Sequence, residues 1–314
     1  MIRPPALQSG DRVALVAPAS PFDRQAFEAG VTEIRALGFE PVFSQAVFER
    51  DLYLAGSAEV RARDLVTAWR DPDIAAIVAA RGGYGSVQLL PLLDREVVAG
   101  TPKVFIGYSD ITSMLAWLLQ ACGLVAFHGP MVEGRFARGV EGYDRETFMR
   151  AVCRPEPMGE ITHPAMESLH DGTAGGMLVG GTLTQLVASL GTPYAFDPPA
   201  GCVLFLDDIA ERPYRLDRML TQLRLSGLLA RVSAIVFNGL PRCAAEGGSP
   251  TARAVVQRVL EGFHGPILFG LPSGHTDDAP MITLPFGVRA RVIAGRRPAL
   301  VIDEAAVSPR SARV

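Results

Sequence analysis

The chain has 314 residues, 48% hydrophobic and 20% charged, enough to bury a substantial core without disulfide or metal staples. Its 30 basic residues against 33 acidic ones leave a formal charge of −3, which argues against a general nucleic-acid binder. Lys103 is the only lysine and follows Thr101-Pro102 at the head of an apolar run, so neither a P-loop nor a Schiff-base site is expected.

Taken in chain order, residues 13–17 form a short apolar run ended by Pro18, the pattern of a buried strand. Helical spacing over 23–37 stops at Gly38, and 40–43 suits a second strand. A charged amphipathic helix over 57–70 precedes a continuous apolar strand at 74–80. Then come a helical stretch at 86–93, a strand at 104–106 and a helix over 110–121 closed by Gly123. This alternation with uniformly apolar strands predicts an α/β fold whose parallel sheet is covered on both faces. Three prolines and scattered polar residues break the rhythm at 154–173, which reads as a linker or a crossover with a short strand. Beyond it a second, β-richer α/β unit is expected. It has helices at 182–190, 214–229 and 251–261, strands at 202–207, 232–237 and 267–269, and short strands at 282–284, 287–293 and 298–302. The domain boundaries expected are therefore 1–153, a linker at 154–173, and 174–314.

The four cysteines form no C-x-x-C pair and read as buried thiols of a reducing compartment. No signal peptide is legible at the N-terminus, and the charge-free stretch 111–132 reads as helix, turn and strand rather than a membrane span. A cytoplasmic protein is expected.

Four stretches could carry chemistry. In Val104–Thr112 an apolar strand ends in Gly107-Tyr108, Ser109 follows at once, and a helix starts behind it. That is the setting of a nucleophile elbow, although Ile111 stands where a second glycine would be, and Ser109 or Asp110 could simply cap the helix. In Ala79–Ser86 three glycines follow a strand, as where backbone must approach a ligand, or in a bare turn; Gln88 spoils a dinucleotide fingerprint. Asp207, Asp208 and Glu211 cluster between a strand and a helix, where acids also serve as caps. His275 lies in a Gly/Pro loop with Asp277 and Asp278. Metal ligation there is disfavoured, since no further His or Cys recurs at ligand spacing. The order serine, acid, histidine is that of α/β hydrolases.

ARGGYGS (80–86), GYSDIT (107–112), the block from Asp208 to Leu220 and PSGH (272–275) resemble the serine LD-carboxypeptidases, across essentially the whole chain. That family includes muramoyl-tetrapeptide carboxypeptidases and microcin C immunity peptidases. The resemblance implies an N-terminal α/β domain like that of class I glutamine amidotransferases, carrying Ser109 as nucleophile. It implies a C-terminal domain that supplies His275 as general base and Glu211 as the acid orienting it, with the active site between the two. The oxyanion hole falls on the backbone N–H groups of Gly83 and Asp110. The implied substrate is a cytoplasmic murein tetrapeptide, cut before its terminal D-alanine without metal or other cofactor, by a homodimer that binds neither nucleic acid nor membrane. Arg81 and Arg212 are candidates, by position, for holding substrate carboxylates. Two alternatives remain. The same triad could act on another amide such as an aminoacyl-nucleotide, with Tyr194 or Phe196 as candidate base platforms. Or the Gly82–Gly85 loop could serve a non-catalytic small-ligand binder.

Overall fold

The computed structural model describes residues 1–277 and 279–310. In its first half, β1 (Arg12–Val16), α1 (Arg24–Ala36), β2 (Glu40–Val42), α2 (Ala58–Arg70) and β3 (Ile74–Ala79) follow in turn. They lead into α3 (Arg95–Gly100), β4 (Val104–Gly107), α4 (Thr112–Cys122), β5 (Ala126–His128) and α5 (Arg145–Cys153). The chain continues through β6 (Gly159–Ile161), β7 (Glu167–His170), β8 (Gly172–Thr182), α6 (Leu183–Ser189), β9 (Cys202–Asp207) and α7 (Pro213–Leu225). It ends with β10 (Val232–Phe237), α8 (Ala252–Val259), β11 (Ile267–Phe269), β12 (Leu284–Phe286), β13 (Arg289–Ala294) and β14 (Ala299–Ile302).

Two compact units result. The first contains the described residues of Met1–Pro157, Ala279–Gly287 and Ala305–Val314; the second, those of Met158–Asp278 and Val288–Glu304. Two boundaries therefore differ from those expected. Residues 154–173 are not a plain linker, because β6 pairs with β14 and β7 with β11. The C-terminal segment does not stay in the second unit either, because β12 runs antiparallel beside β5, with Leu284 opposite His128.

The sheet of the first unit has the order β12-β5-β4-β3-β1-β2, and all its pairings except β12–β5 are parallel. β4 is buried along its whole length and β3 nearly so, as strands covered on both faces must be. Local chemistry sets the helix ends. Asp23 caps α1 by accepting the Ala26 N–H at 2.8 Å, Ser57 caps α2, and left-handed Gly123 closes α4.

The sheet of the second unit has the order β6-β14-β13-β8-β9-β10-β11-β7. Its centre, β8 to β11, is parallel, and antiparallel strands complete both edges. β9 is entirely buried and ends at Asp207, and Pro213 opens α7 at a position where its missing N–H costs nothing.

Candidate active site

In the first unit, β4 delivers the chain into a turn at Ser109, whose φ of 62° places a non-glycine residue in the left-handed region. Such a backbone costs about 1–2 kcal/mol and persists only where its surroundings dictate it. Here they do. A Cβ on Gly107 would lie 2.6 Å from Ile111 Cγ2, so the helix that starts behind the serine can close onto the strand end only over a glycine. The second glycine of an elbow motif is thus dispensable: the close approach falls on Gly107, and Ile111 packs against it. The serine is half-buried while Asp110 beside it is 1% exposed.

The glycine loop lies alongside. A Cβ on Gly82 would meet Ser109 Cβ at 2.8 Å, Ser109 Oγ at 3.1 Å and Asp110 N at 3.4 Å. Gly83 is exposed and has a φ of 95°, and a side chain on it would strike Ser20 Oγ at 2.4 Å. Ser20 holds the loop from its other side, giving its N–H to Gly82 O (3.1 Å) and accepting the Tyr84 N–H on Oγ (3.1 Å). Gly83 thus presents exposed backbone in the loop that packs against the Ser109 turn.

In the second unit, His275 Nδ1 stands 2.6 Å from Asp207 Oδ2, and the His275 backbone N–H donates to the same oxygen at 3.0 Å. Asp207 is fully buried, and its other oxygen accepts the Thr182 hydroxyl at 2.7 Å. The Asn238 side chain donates to His275 O at 2.8 Å, tying down the loop from the end of β10. A carboxylate on Nδ1 fixes the proton there and leaves Nε2 as the basic nitrogen.

The acid in contact with the imidazole is thus Asp207, whereas the family resemblance put the orienting role on Glu211. Glu211 lies four residues past the strand end, after Ala210 at a φ of 57°, and pairs with Arg215 at 3.5 Å. Asp207, the last residue of β9, carries the carboxylate that reaches the imidazole. The third acid, Asp208, is a cap, as acids in such a cluster can be. It accepts the Thr184 N–H at 2.9 Å and hydroxyl at 2.7 Å in the first turn of α6, and the Ile209 N–H at 2.9 Å.

The other expected residues have protein partners. Arg81 lies 3.4 Å from Glu133 and donates to Pro21 O, while Arg212 pairs on the surface with Glu246 at 2.8 Å. Asp277 pairs with Arg242, Asp278 falls outside the described residues, and no His/Cys/Asp/Glu cluster among the described residues could hold a metal. Lys103 is a buried tie to the Asp71 and Ile74 carbonyls. Burial pushes all four thiols up, the Cys122 thiol to about 12 and the others to about 11, which keeps them in the inert protonated form. Among the described residues no helix is long and apolar enough to cross a membrane. Sequence reasoning missed Thr182 and Asn238. Thr182 ends a glycine-rich strand that gave no periodic signal, whereas Asn238 directly follows an expected strand and was open to notice.

An elbow serine flanked by a glycine loop, and an imidazole backed by a buried carboxylate, are the working parts of a serine hydrolase. The relatives fit that class. The chain belongs to the LD-carboxypeptidase family: residues 13–129 match its N-terminal domain and residues 175–292 its C-terminal domain. It is accordingly a serine peptidase. The murein tetrapeptide carboxypeptidase of Pseudomonas aeruginosa is 34% identical to it over 91% of this chain and 94% of its own. The solved muramoyltetrapeptide carboxypeptidase of Oxalobacter formigenes is 30% identical, with a TM-score of 0.82 over 95% of this chain and all of its own. The microcin C7 self-immunity protein, known from Escherichia coli, superposes with a TM-score of 0.89 at 25% identity over 98% of this chain and all of its own.

Proposed function

We propose that this peptidase hydrolyses the LD-amide bond of a murein tetrapeptide and releases the terminal D-alanine, with Ser109 as nucleophile, His275 as general base and Asp207 as the acid that orients it. The observation that carries the proposal is the strained Ser109 turn against the glycine loop, backbone strain of the kind that clusters at reactive centres.

The chemistry follows from the roles. His275 Nε2 takes the Ser109 proton as Oγ bonds to the carbonyl carbon, and the Gly83 and Asp110 N–H groups hold the oxyanion. The imidazolium then protonates the D-alanine nitrogen as the C–N bond breaks. Water, losing its proton to the same imidazole, attacks the acyl-serine ester and releases the shortened peptide as a carboxylic acid, and Ser109 recovers its proton. Asp207 stabilises the imidazolium without being protonated. Arg81, which opens the glycine loop, and Arg212 are the candidates to meet a substrate carboxylate, which would have to draw them from Glu133 and Glu246. The cytoplasm as the place of action and a homodimer as the working form complete the proposal, on the family resemblance alone.

Likeness to the self-immunity protein favours a second reading, in which the same residues act on an aminoacyl-nucleotide amide. Of its two candidate base platforms, Phe196 is 4% exposed and engaged in the core, which leaves Tyr194.

The test is incubation with L-Ala-γ-D-Glu-meso-diaminopimelate-D-Ala, with and without EDTA, beside the Ser109→Ala variant, following D-alanine by mass spectrometry. EDTA-insensitive release by the unaltered protein alone is expected. Release by Ser109→Ala, or release abolished by EDTA, contradicts the serine mechanism. Hydrolysis of an aminoacyl-nucleotide but not the tetrapeptide favours the second reading.

A further inference from the structure

Two buried charged side chains beside the serine turn are not explained by the catalytic roles above. Asp110 is 1% exposed, and its Oδ2 accepts the Ser86 N–H at 2.8 Å. The Ser86 hydroxyl returns a bond to Asp110 O at 2.7 Å, so the serine turn and the far end of the glycine loop are joined twice. Arg61, 3% exposed on α2, reaches the same place. Its Nε donates to Gly56 O at 3.0 Å, one terminal nitrogen donates to Pro18 O (2.6 Å) and Gly85 O (2.9 Å), and the other donates to Gln88 Oε1 at 2.6 Å. A Cβ on Gly85 would come within 3.0 Å of that guanidinium and 2.6 Å of Leu54, so the loop is seated as closely as backbone permits.

Burying a carboxylate and a guanidinium is unfavourable, and proteins keep such groups where geometry needs them. Burial holds the Asp110 carboxyl above the usual carboxylate range, with the Ser86 and Gly85 donors and Arg61 opposing it. Burial likewise lowers the Arg61 value, and Asp110 opposes it most. Each group thus helps keep the other charged. Between them they fix residues 85–86 to the turn that forces Ser109 into its left-handed conformation, while Ser20 fixes residues 82–84. The segment held from both ends is the one that carries the Gly83 N–H.

We infer that Asp110 and Arg61 are positioning residues for the hydrolysis: their side chains lock the glycine loop to the serine turn, so that the N–H donors and Ser109 Oγ are aligned before substrate arrives. This rests on the serine mechanism proposed above and adds to it two side chains that touch no reacting atom.

The test uses Asp110→Asn, Arg61→Lys and Ser86→Ala in the full-length protein, with Ser109→Ala as reference. Three readouts are taken: kcat and KM on the tetrapeptide, the rate at which a fluorophosphonate labels Ser109 (Oγ bonds to phosphorus as fluoride leaves), and the thermal midpoint. Asp110→Asn and Arg61→Lys are expected to lower kcat and the labelling rate by about 30-fold or more, approaching the roughly 10²–10³-fold cost of losing an oxyanion donor outright, with KM within about threefold. Ser86→Ala, which removes the hydroxyl's interactions with Asp110 and keeps the Ser86 N–H, is expected to lower both rates by about threefold to tenfold with its thermal midpoint within a few degrees of the parent. Overturning results are wild-type kcat and labelling in the three variants, or rates that fall only in proportion to the folded fraction. Retained turnover in Ser109→Ala, or no labelling of the parent protein at Ser109, instead removes the mechanism on which the inference rests.

Discussion

Asp207 Oδ2 accepts two hydrogen bonds from the one residue His275, from Nδ1 at 2.6 Å and from the backbone N–H at 3.0 Å. The carboxylate therefore fixes both the ring and the loop that presents it, a tighter constraint than a contact to the imidazole alone. Asp207→Asn keeps the size but supports the wrong tautomer, and is expected to lower kcat by about 10⁴. Glu211→Gln, which leaves that pair intact and weakens only the contact with Arg215, should retain at least about 100-fold more activity than Asp207→Asn. Steady-state kinetics on the tetrapeptide decide it, and the reverse ranking would restore Glu211 as the orienting acid.

Gly82 and Ser109 lie so close that the glycine is itself part of the geometry of the serine turn. Gly82→Ala places a methyl group 2.8 Å from Ser109 Cβ. Displacing a reacting atom by about 1 Å costs on the order of 10² in rate, and that fall in kcat is expected with a stability loss of only about 1–3 kcal/mol. Gly100→Ala, where a Cβ meets nothing within 4 Å, is the control and should match the parent. Equal kcat for the two variants would show that the serine does not depend on this contact.

Asp208 makes stability depend on pH in a direction opposite to that of most acids. Burial pushes its carboxyl from 3.8 up to about 6, with Asp207 adding to the effect and the Thr184 and Ile209 donors opposing it. Between those values the folded protein binds more protons than the unfolded chain, so this group's contribution is complete below about pH 4 and is lost as pH rises through about 6. The difference corresponds to on the order of 3 kcal/mol. Urea unfolding of the parent and Asp208→Asn should show the parent's relative stability falling by about that amount from pH 4 to pH 7. A constant difference across the range would mean that Asp208 ionises normally.

Much of this was open to reading in the chain, for identifiable reasons. Strands such as β3, β9 and β10 are apolar throughout because both faces are buried, and that pattern is visible without any partner. β8 was invisible because glycines make up much of its sequence. Their purpose is tertiary: a Cβ on Gly176 or Gly180 would lie 1.9 Å from the carbonyl oxygen of Gly201 or Phe205 on the neighbouring chain segment. The serine elbow was legible because strand, turn and helix are local. The acid that meets the imidazole was not, because Asp207, Asp208 and Glu211 share one short stretch. Only the β8–β9 register, which sets Thr182 opposite Asp207, and the His275 contact separate them. Arg61 did leave a signal, since it shares the helical spacing of Leu65 and Trp69 on the buried side of α2, an unusual place for arginine.

The proposed mechanism requires Ser109 and His275 to act as one catalytic unit. Its most direct test is the tetrapeptide turnover of Ser109→Ala, His275→Ala and the double variant. Residues acting together are grossly non-additive, so each single change should cost on the order of 10⁶ in kcat and the double variant should fall within about threefold of either. Substantial turnover in either single variant, or a double loss equal to the product of two partial ones, would contradict the account.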